Sequence, residues 1–195
     1  MRLVINLILV VLAAALVYVL ISTIQEPIAF KAEKEKRERA VIDKLMTVRI
    51  AQEAFRSIKG GFAPSFDSLE YVLNNDSFAV VKIIGDPDDP NFTGEITYDT
   101  TMLPAKDSMI NGLNISLDSL RFVPFTNGVA FEIQADTITY QSTTVPVVEV
   151  GVRRKLFMGD YGKERFARYD AKYNPNSPIK FGDMNAPNLA GNWER

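Results

Sequence analysis

From Leu3 to Gln25 the chain carries no charged side chain. Leu, Ile, Val and Ala dominate, and Asn6, Tyr18, Ser22, Thr23 and Gln25 are the polar positions. A helix rises 1.5 Å per residue, so this run is long enough for a hydrocarbon core of about 30 Å. The pattern predicts a single transmembrane anchor over residues 1–25. Two rivals stand beside it: a helix buried inside a soluble fold, and a cleavable signal peptide with Ala13-Ala14-Ala15 as its small-residue site. Against the second, the apolar run continues through Leu16–Ile21, beyond the length of an ordinary signal core.

Glu26-Pro27 should interrupt the apolar helix, because proline removes a backbone donor and crowds the preceding turn. Helical patterning resumes over 28–58. Residues 31–39 are charged on every side, like a solvated stalk leaving a bilayer. Val41, Leu45, Val48, Ala51, Phe55 and Ile58 then recur at spacings of three and four, an apolar stripe that needs a sheet to cover it. Gly60-Gly61 stops that helix, and Ser65 caps a short one running to about Leu73. Strand patterning follows at Phe78–Ile84, Glu95–Asp99, Leu120–Phe125, Val129–Gln134, Thr137–Ser142 and Val145–Arg153. Thr126-Asn127-Gly128 makes a hairpin turn between the third and fourth of these. They suggest one antiparallel sheet of four or more strands. Beyond Gly159 the text turns to Tyr, Asn, Pro, Gly and charge, which predicts an irregular tail. The expected organisation is an anchor (1–25), a stalk and amphipathic helix (26–58), an antiparallel β domain (59–158) and an irregular tail packed on it (159–195). The fold class is α+β.

Composition narrows the chemistry. The chain has no cysteine and no histidine, which excludes disulfides, thiolate metal sites, Ser-His-Asp and Cys-His catalysis, and the commonest zinc ligand. Carboxylate pairs are the acid–base class left, with Asp99 beside Glu132 or Glu149 as candidates. No phosphate loop or nucleophile elbow is present. An enzyme is not expected, and neither is a small-molecule substrate.

Net charge is −2 but uneven. Residues 31–59 hold nine Lys/Arg against five acids, 60–150 hold three against thirteen, and 151–172 hold seven against three. Such asymmetry bears on association. It is either solvated surface or head-to-tail contact between an acidic face and a basic one. Arg153, Arg154, Lys155, Lys163, Arg165, Arg168 and Lys172 alternate with Phe157, Tyr161, Phe166, Tyr169 and Tyr173. That mixture suggests nucleic acid at first sight; next to a bilayer, lipid head groups or an acidic protein surface are the more natural partners. Counted literally, the lysines and arginines after the apolar run place the C-terminal domain in the cytoplasm.

The order of elements points elsewhere. An apolar helix continuing into an amphipathic one, then a loop, then an antiparallel sheet, resembles type IV pilins and the major pseudopilins of type II secretion. The local text agrees: a Lys/Glu-rich turn, Ala40-Val41-Ile42-Asp43, then Ala51-Gln52-Glu53-Ala54-Phe55, a Gly, an aromatic and Asp67-Ser68-Leu69, with Gly191-Asn192-Trp193 near the C-terminus. The likeness covers residues 1–75 and the architecture. The chain has no Gly–Phe prepilin peptidase site, and Met1–Leu9 carries only Arg2 and Asn6 as polar side chains, so the likeness implies an unprocessed pilin-like membrane protein. It also implies a domain exported across the inner membrane. Major pseudopilins bind calcium in their C-terminal loops, which makes Asp183, Asn185 and Asn188 a candidate Ca²⁺ site. Gly85-Asp86-Pro87-Asp88-Asp89-Pro90-Asn91 is a second acid-rich loop, read as a structural turn.

Five Asp-Ser/Thr pairs, each followed by a small or aliphatic residue, match a protein O-glycosylation signal of one large group of Gram-negative bacteria. They place candidate acceptors at Ser68, Thr100, Ser108, Ser119 and Thr137, where chance gives about one. The competing explanation is that Asp-Ser and Asp-Thr are common turn and cap pairs. The frequent N-linked pattern at Asn75, Asn91 and Asn114 carries little. The expectation is a structural, pilin-like subunit of a bacterial envelope assembly serving secretion, motility or surface-structure biogenesis. It would be anchored in the inner membrane with a periplasmic domain, and contact the bilayer and other subunits or itself. The alternative is a non-assembling anchored binding module for a glycan or divalent ion; a carboxylate hydrolase is the third class.

Overall fold

In the computed structural model, residues 2–84, 97–109 and 115–194 are described. The fold is α+β. Helix α1 runs unbroken from Arg2 to Lys59. Its first part is apolar all round and exposed: the most apolar 18-residue window has mean hydropathy 3.0 and no buried residue. This is a helix long and apolar enough to cross a membrane or to serve as a signal sequence.

The second part of α1 is threaded through the core. Phe30, Val41, Leu45, Val48, Ala51, Ala54 and Phe55 are buried, one helical face set by the 3.6-residue period. Glu33–Arg37 at 2.6 Å and Glu35–Arg39 at 2.7 Å are i,i+4 pairs with the acid N-terminal, the favourable order. The helix ends at Gly60, whose φ of 78° suits a residue without Cβ and lets its N–H donate to the Arg56 carbonyl at 2.8 Å. Proline did not break the helix as expected. Pro27 lies inside α1, and contacts on both sides of it, described below, hold the turn together.

Helix α2 (Phe66–Asn75) starts where the Ser65 hydroxyl accepts the Ser68 N–H at 3.2 Å, and buries Phe66, Leu69, Val72 and Leu73. Strands β1 (Ser77–Ile84) and β2 (Thr97–Pro104) pair antiparallel from Ser77↔Pro104 to Ile84↔Thr97. After a one-turn helix α3 (Ala105–Asp107), the chain reaches β3 (Glu132–Tyr140), β4 (Thr143–Arg153), a short α4 (Arg154–Phe157) and β5 (Pro178–Gly182). The sheet order is β3-β4-β5, all antiparallel. One cluster of buried side chains joins the α1 stripe to Leu69 and Leu73 of α2, to Val148, Val150 and Val152 of β4, and to Ile179 and Phe181 of β5.

Three expectations need correction. The strands form two sheets, of two and three strands, rather than one. Proline 104 closes β2 without a further ladder donor and the chain turns helical at once, so nothing extends the first sheet toward the second. The turn at 126–128 is in place, but its flanks meet only at the Phe122↔Ala130 bridge, and continuous strand begins at Glu132. Pro124 cannot donate to a ladder, and Phe125 has a φ of 61°, left-handed and off the strand path. Finally, residues 159–195 are not wholly irregular, because β5 completes the three-stranded sheet. Its signal was a bare Ile179-Lys180-Phe181 alternation, too short to stand out between Pro178 and Gly182. Gly182 is needed there: φ is 83°, and a Cβ would lie 1.9 Å from the Val148 carbonyl oxygen.

Candidate functional site

The densest set of unusual contacts lies where the exposed part of α1 meets the folded part. The segment Gly159–Tyr173 forms two 3₁₀ turns, Gly159–Gly162 and Glu164–Tyr169, and wraps the helix at Glu26–Phe30. Phe30 is fully buried there. Its ring stacks on Phe166 (centroids 5.6 Å apart, 10° between planes) and meets Tyr173 edge-on at 5.0 Å, with Tyr161 at 5.9 Å and Tyr169 at 6.0 Å. Aromatic pairs in these geometries add about 0.5–1.5 kcal/mol each beyond area burial.

One turn earlier, the Glu26 carboxylate accepts the Tyr169 hydroxyl and pairs with Arg165 at 3.1 Å and Arg168 at 3.3 Å. The Tyr169 hydrogen bond, then the charges of Arg165 and Arg168, hold the Glu26 carboxyl below the usual glutamate range. One turn later, Lys34 pairs with Asp170 at 2.7 Å, and that bond, helped by the Lys172 N–H, keeps Asp170 low as well. Glu38 pairs with Arg154 at 2.7 Å, and Arg37 donates to the Phe157 carbonyl at 2.7 Å. Burial, with the Glu38 charge nearby, pushes the Tyr173 phenol up to about 12, and its hydroxyl donates to the Tyr161 carbonyl at 2.9 Å.

The alternation of basic and aromatic residues is therefore a two-sided ribbon. Phe157, Phe166 and Tyr173 point into the core and the cations point out or onto α1. These buried rings cannot stack on bases, as a nucleic-acid platform would require. Nor are residues 31–39 solvated all round: Lys34, Arg37 and Glu38 face the C-terminal segment.

No family model, no curated protein and no solved structure matches the chain.

The residues singled out in the sequence are scattered. Asp183 Oδ1 accepts the Asn185 N–H at 2.8 Å and its amide at 3.4 Å, while Asn188 Oδ1 accepts the Ala190 N–H at 2.8 Å. The Asp183 and Asn188 oxygens each close a local turn, and one carboxylate among two amides is a poor donor set for Ca²⁺. Among the described residues no group of three acids could hold a metal. The 85–91 loop lies outside the described residues. Asp99 sits on β2, in a different sheet from Glu132 and Glu149, and Glu149 is paired with Lys180 at 2.6 Å.

The five hydroxyls divide by environment. Ser68 is in the capped first turn of α2, Ser108 follows α3, and Ser119 ends a 3₁₀ turn; all three are half-buried. The Ser119 hydroxyl is also engaged, accepting Lys44 Nζ at 3.0 Å and donating to the Ser116 carbonyl at 3.2 Å. Thr100 on β2 and Thr137 on β3 are exposed strand positions and keep their candidacy. Of the three Asn-linked patterns, only Asn75 is described, and its amide donates to the Tyr71 carbonyl at 2.7 Å.

Two residues escaped the sequence reading. Phe30 lay outside the apolar stripe, eleven residues before its start at Val41. Gln52 is the one buried polar side chain among the described residues. Its amide donates to the Ala63 carbonyl at 3.2 Å and its oxygen accepts the Ala63 N–H at 2.9 Å, which ties the chain leaving α1 back onto the helix. The signal was a glutamine on the apolar face, between Val48 and Phe55.

Proposed function

We propose that this chain is a membrane-anchored, pilin-like structural subunit of a bacterial envelope assembly, with its folded domain on the periplasmic side. The observation that carries the reading is α1 itself. One continuous helix is apolar and uncovered over its first 24 residues or so and is a core element of the domain over its last 30. Inside one chain such a surface is stable only when something covers it, and lipid or neighbouring apolar helices are the natural cover. The proposed role is structural, supported by Asp99 lying in a different sheet from Glu132 and Glu149.

Two experiments test this. A phosphatase fused after Asn192 should be active if the domain is exported; an inactive fusion with full-length protein present overturns the periplasmic side. The absence of native cysteine makes single-cysteine cross-linking in cells clean. Cysteines placed at Leu9, Leu16 or Leu20 should give dimers or hetero-adducts. A chain that stays monomeric at all three positions removes the assembly claim and leaves the non-assembling binding module.

A further inference from the structure

The clasp on Glu26 fixes a depth for two arginines. Residues 3–25 span about 34 Å at 1.5 Å per residue, slightly more than a hydrocarbon core of about 30 Å. Whichever way the helix crosses, Glu26 comes at the polar edge of the bilayer, and Arg165 and Arg168, at 3.1 and 3.3 Å from it, are held at that edge too. Their charge is not balanced locally. One carboxylate faces two guanidiniums, and its acceptors are shared with the Tyr169 hydroxyl. Both arginine side chains remain about 60% exposed (59% and 62%). Each carries five N–H donors, most of them unused.

They are also pre-positioned. The Arg165 guanidinium lies 4.3 Å from the Phe166 ring centroid and Arg168 lies 4.7 Å from that of Tyr169. A guanidinium held over a ring loses less side-chain entropy when it binds a phosphate. Lys163, by contrast, has Asp160 as a partner at 3.4 Å. Phenol and guanidinium together at a membrane–water boundary form a suitable head-group contact.

We propose that Arg165 and Arg168 form a binding site for the phosphate head group of an anionic phospholipid, so that the base of the domain rests on the bilayer surface. The proposal rests on the membrane-anchor reading. A local excess of one positive charge predicts a roughly fivefold preference for anionic over zwitterionic lipid.

The test uses the full chain in mixed micelles with equimolar phosphatidylglycerol and phosphatidylcholine, counting retained lipids by native mass spectrometry. Wild type should retain phosphatidylglycerol in excess, and R165Q/R168Q should lose that preference. R165K/R168K should keep part of it, which separates loss of charge from loss of folding. K59Q, at the other end of α1, should change nothing. An unchanged preference in R165Q/R168Q overturns the proposal.

A second arm isolates the reading beneath it. In vesicles of the same lipids, a nitroxide at D160C should report head-group depth, while one at N185C should report bulk water. Asn185 belongs to the loop whose Leu189 carbonyl meets Arg49, some 35 Å up the helix. Bulk water at both positions, with no protected 3–25 segment, overturns the anchor and the lipid site together. Head-group depth at D160C with no Arg-dependent preference overturns the lipid site alone.

Discussion

At the scale of single residues, Phe30 and Gln52 matter most to the join between the helix and the rest of the molecule. Phe30 is enclosed by four aromatic rings, so F30A leaves a void that rigid neighbours cannot fill. The expected cost is about 3–5 kcal/mol, read as a lowered urea midpoint for the full chain in detergent. Gln52→Leu keeps the volume but strands the N–H and C=O of Ala63 in a dry site. The expected loss is about 1–3 kcal/mol, and exchange of the Ala63 amide should become faster in the same variant. Neither role was legible in the sequence as a role. Gln52 could be seen as a polar residue on an apolar face, but its partner lies eleven positions on, across a Gly-Gly turn. Phe30 sits in a charged stretch, and the rings that bury it come from about 130–140 residues later. The hydroxyls of the Asp-Ser triplets were legible as a set; only their surroundings divide caps and turns from exposed strand positions.

At the scale of elements, periodicity located the apolar run, the stripe of α1, the Ser65 cap and most of β1, β3 and β4, because each is stated by near neighbours. It misjudged what long-range contacts decide: the passage of α1 through Pro27, the split into two sheets, and β5. The β3–β4 hairpin is instructive. Its two turn residues, Gln141 and Ser142, have φ of 49° and 67°, the geometry of a two-residue turn that favours Asn-Gly. Neither residue advertises that turn. Ser142→Gly should relieve the left-handed strain and raise stability by roughly 0.5–1 kcal/mol, seen as a higher denaturation midpoint. The attachment of Gly159–Tyr173 to α1 should respond to acid. Glu26 and Asp170 are both held below their unfolded values, near 4.5 and 3.8. Their stabilisation is therefore complete above about pH 5 and is lost as pH falls through the lower, folded values. Amides of 159–173 should lose exchange protection as pH falls below these unfolded values, before the β3–β4 pair does. Simultaneous loss would show that these carboxylates do not control the attachment.

At the scale of the whole molecule, the chain turns back on itself along α1. Read up the helix, Glu26, Phe30 and Lys34 meet residues 161–173, Glu38 meets Arg154, Lys44 meets Ser119, Arg49 meets Leu189 and Glu194, and Gln52 meets Ala63. The charge asymmetry of the sequence is partly spent within the chain, since Arg154, Arg165 and Arg168 of the basic stretch pair with Glu38 and Glu26 of α1. A chain ending at Met158 lacks both the cover of Phe30 and strand β5. Trypsin should then cut within Lys31–Arg39, which the complete chain should resist; equal resistance would mean that the last segment adds nothing to the fold.

Because Pro27 is gripped from both sides, at Glu26 and at Phe30, the weakest joint of the long helix is splinted where a swivel would be expected. Residues 27–59 extend about 50 Å from that point. A change of only 10° in the inclination of the apolar half would therefore sweep the far end of the helix by about 9 Å, as a lever does. With the apolar half in lipid, as proposed, a neighbour touching that far end would feel what happens in the bilayer.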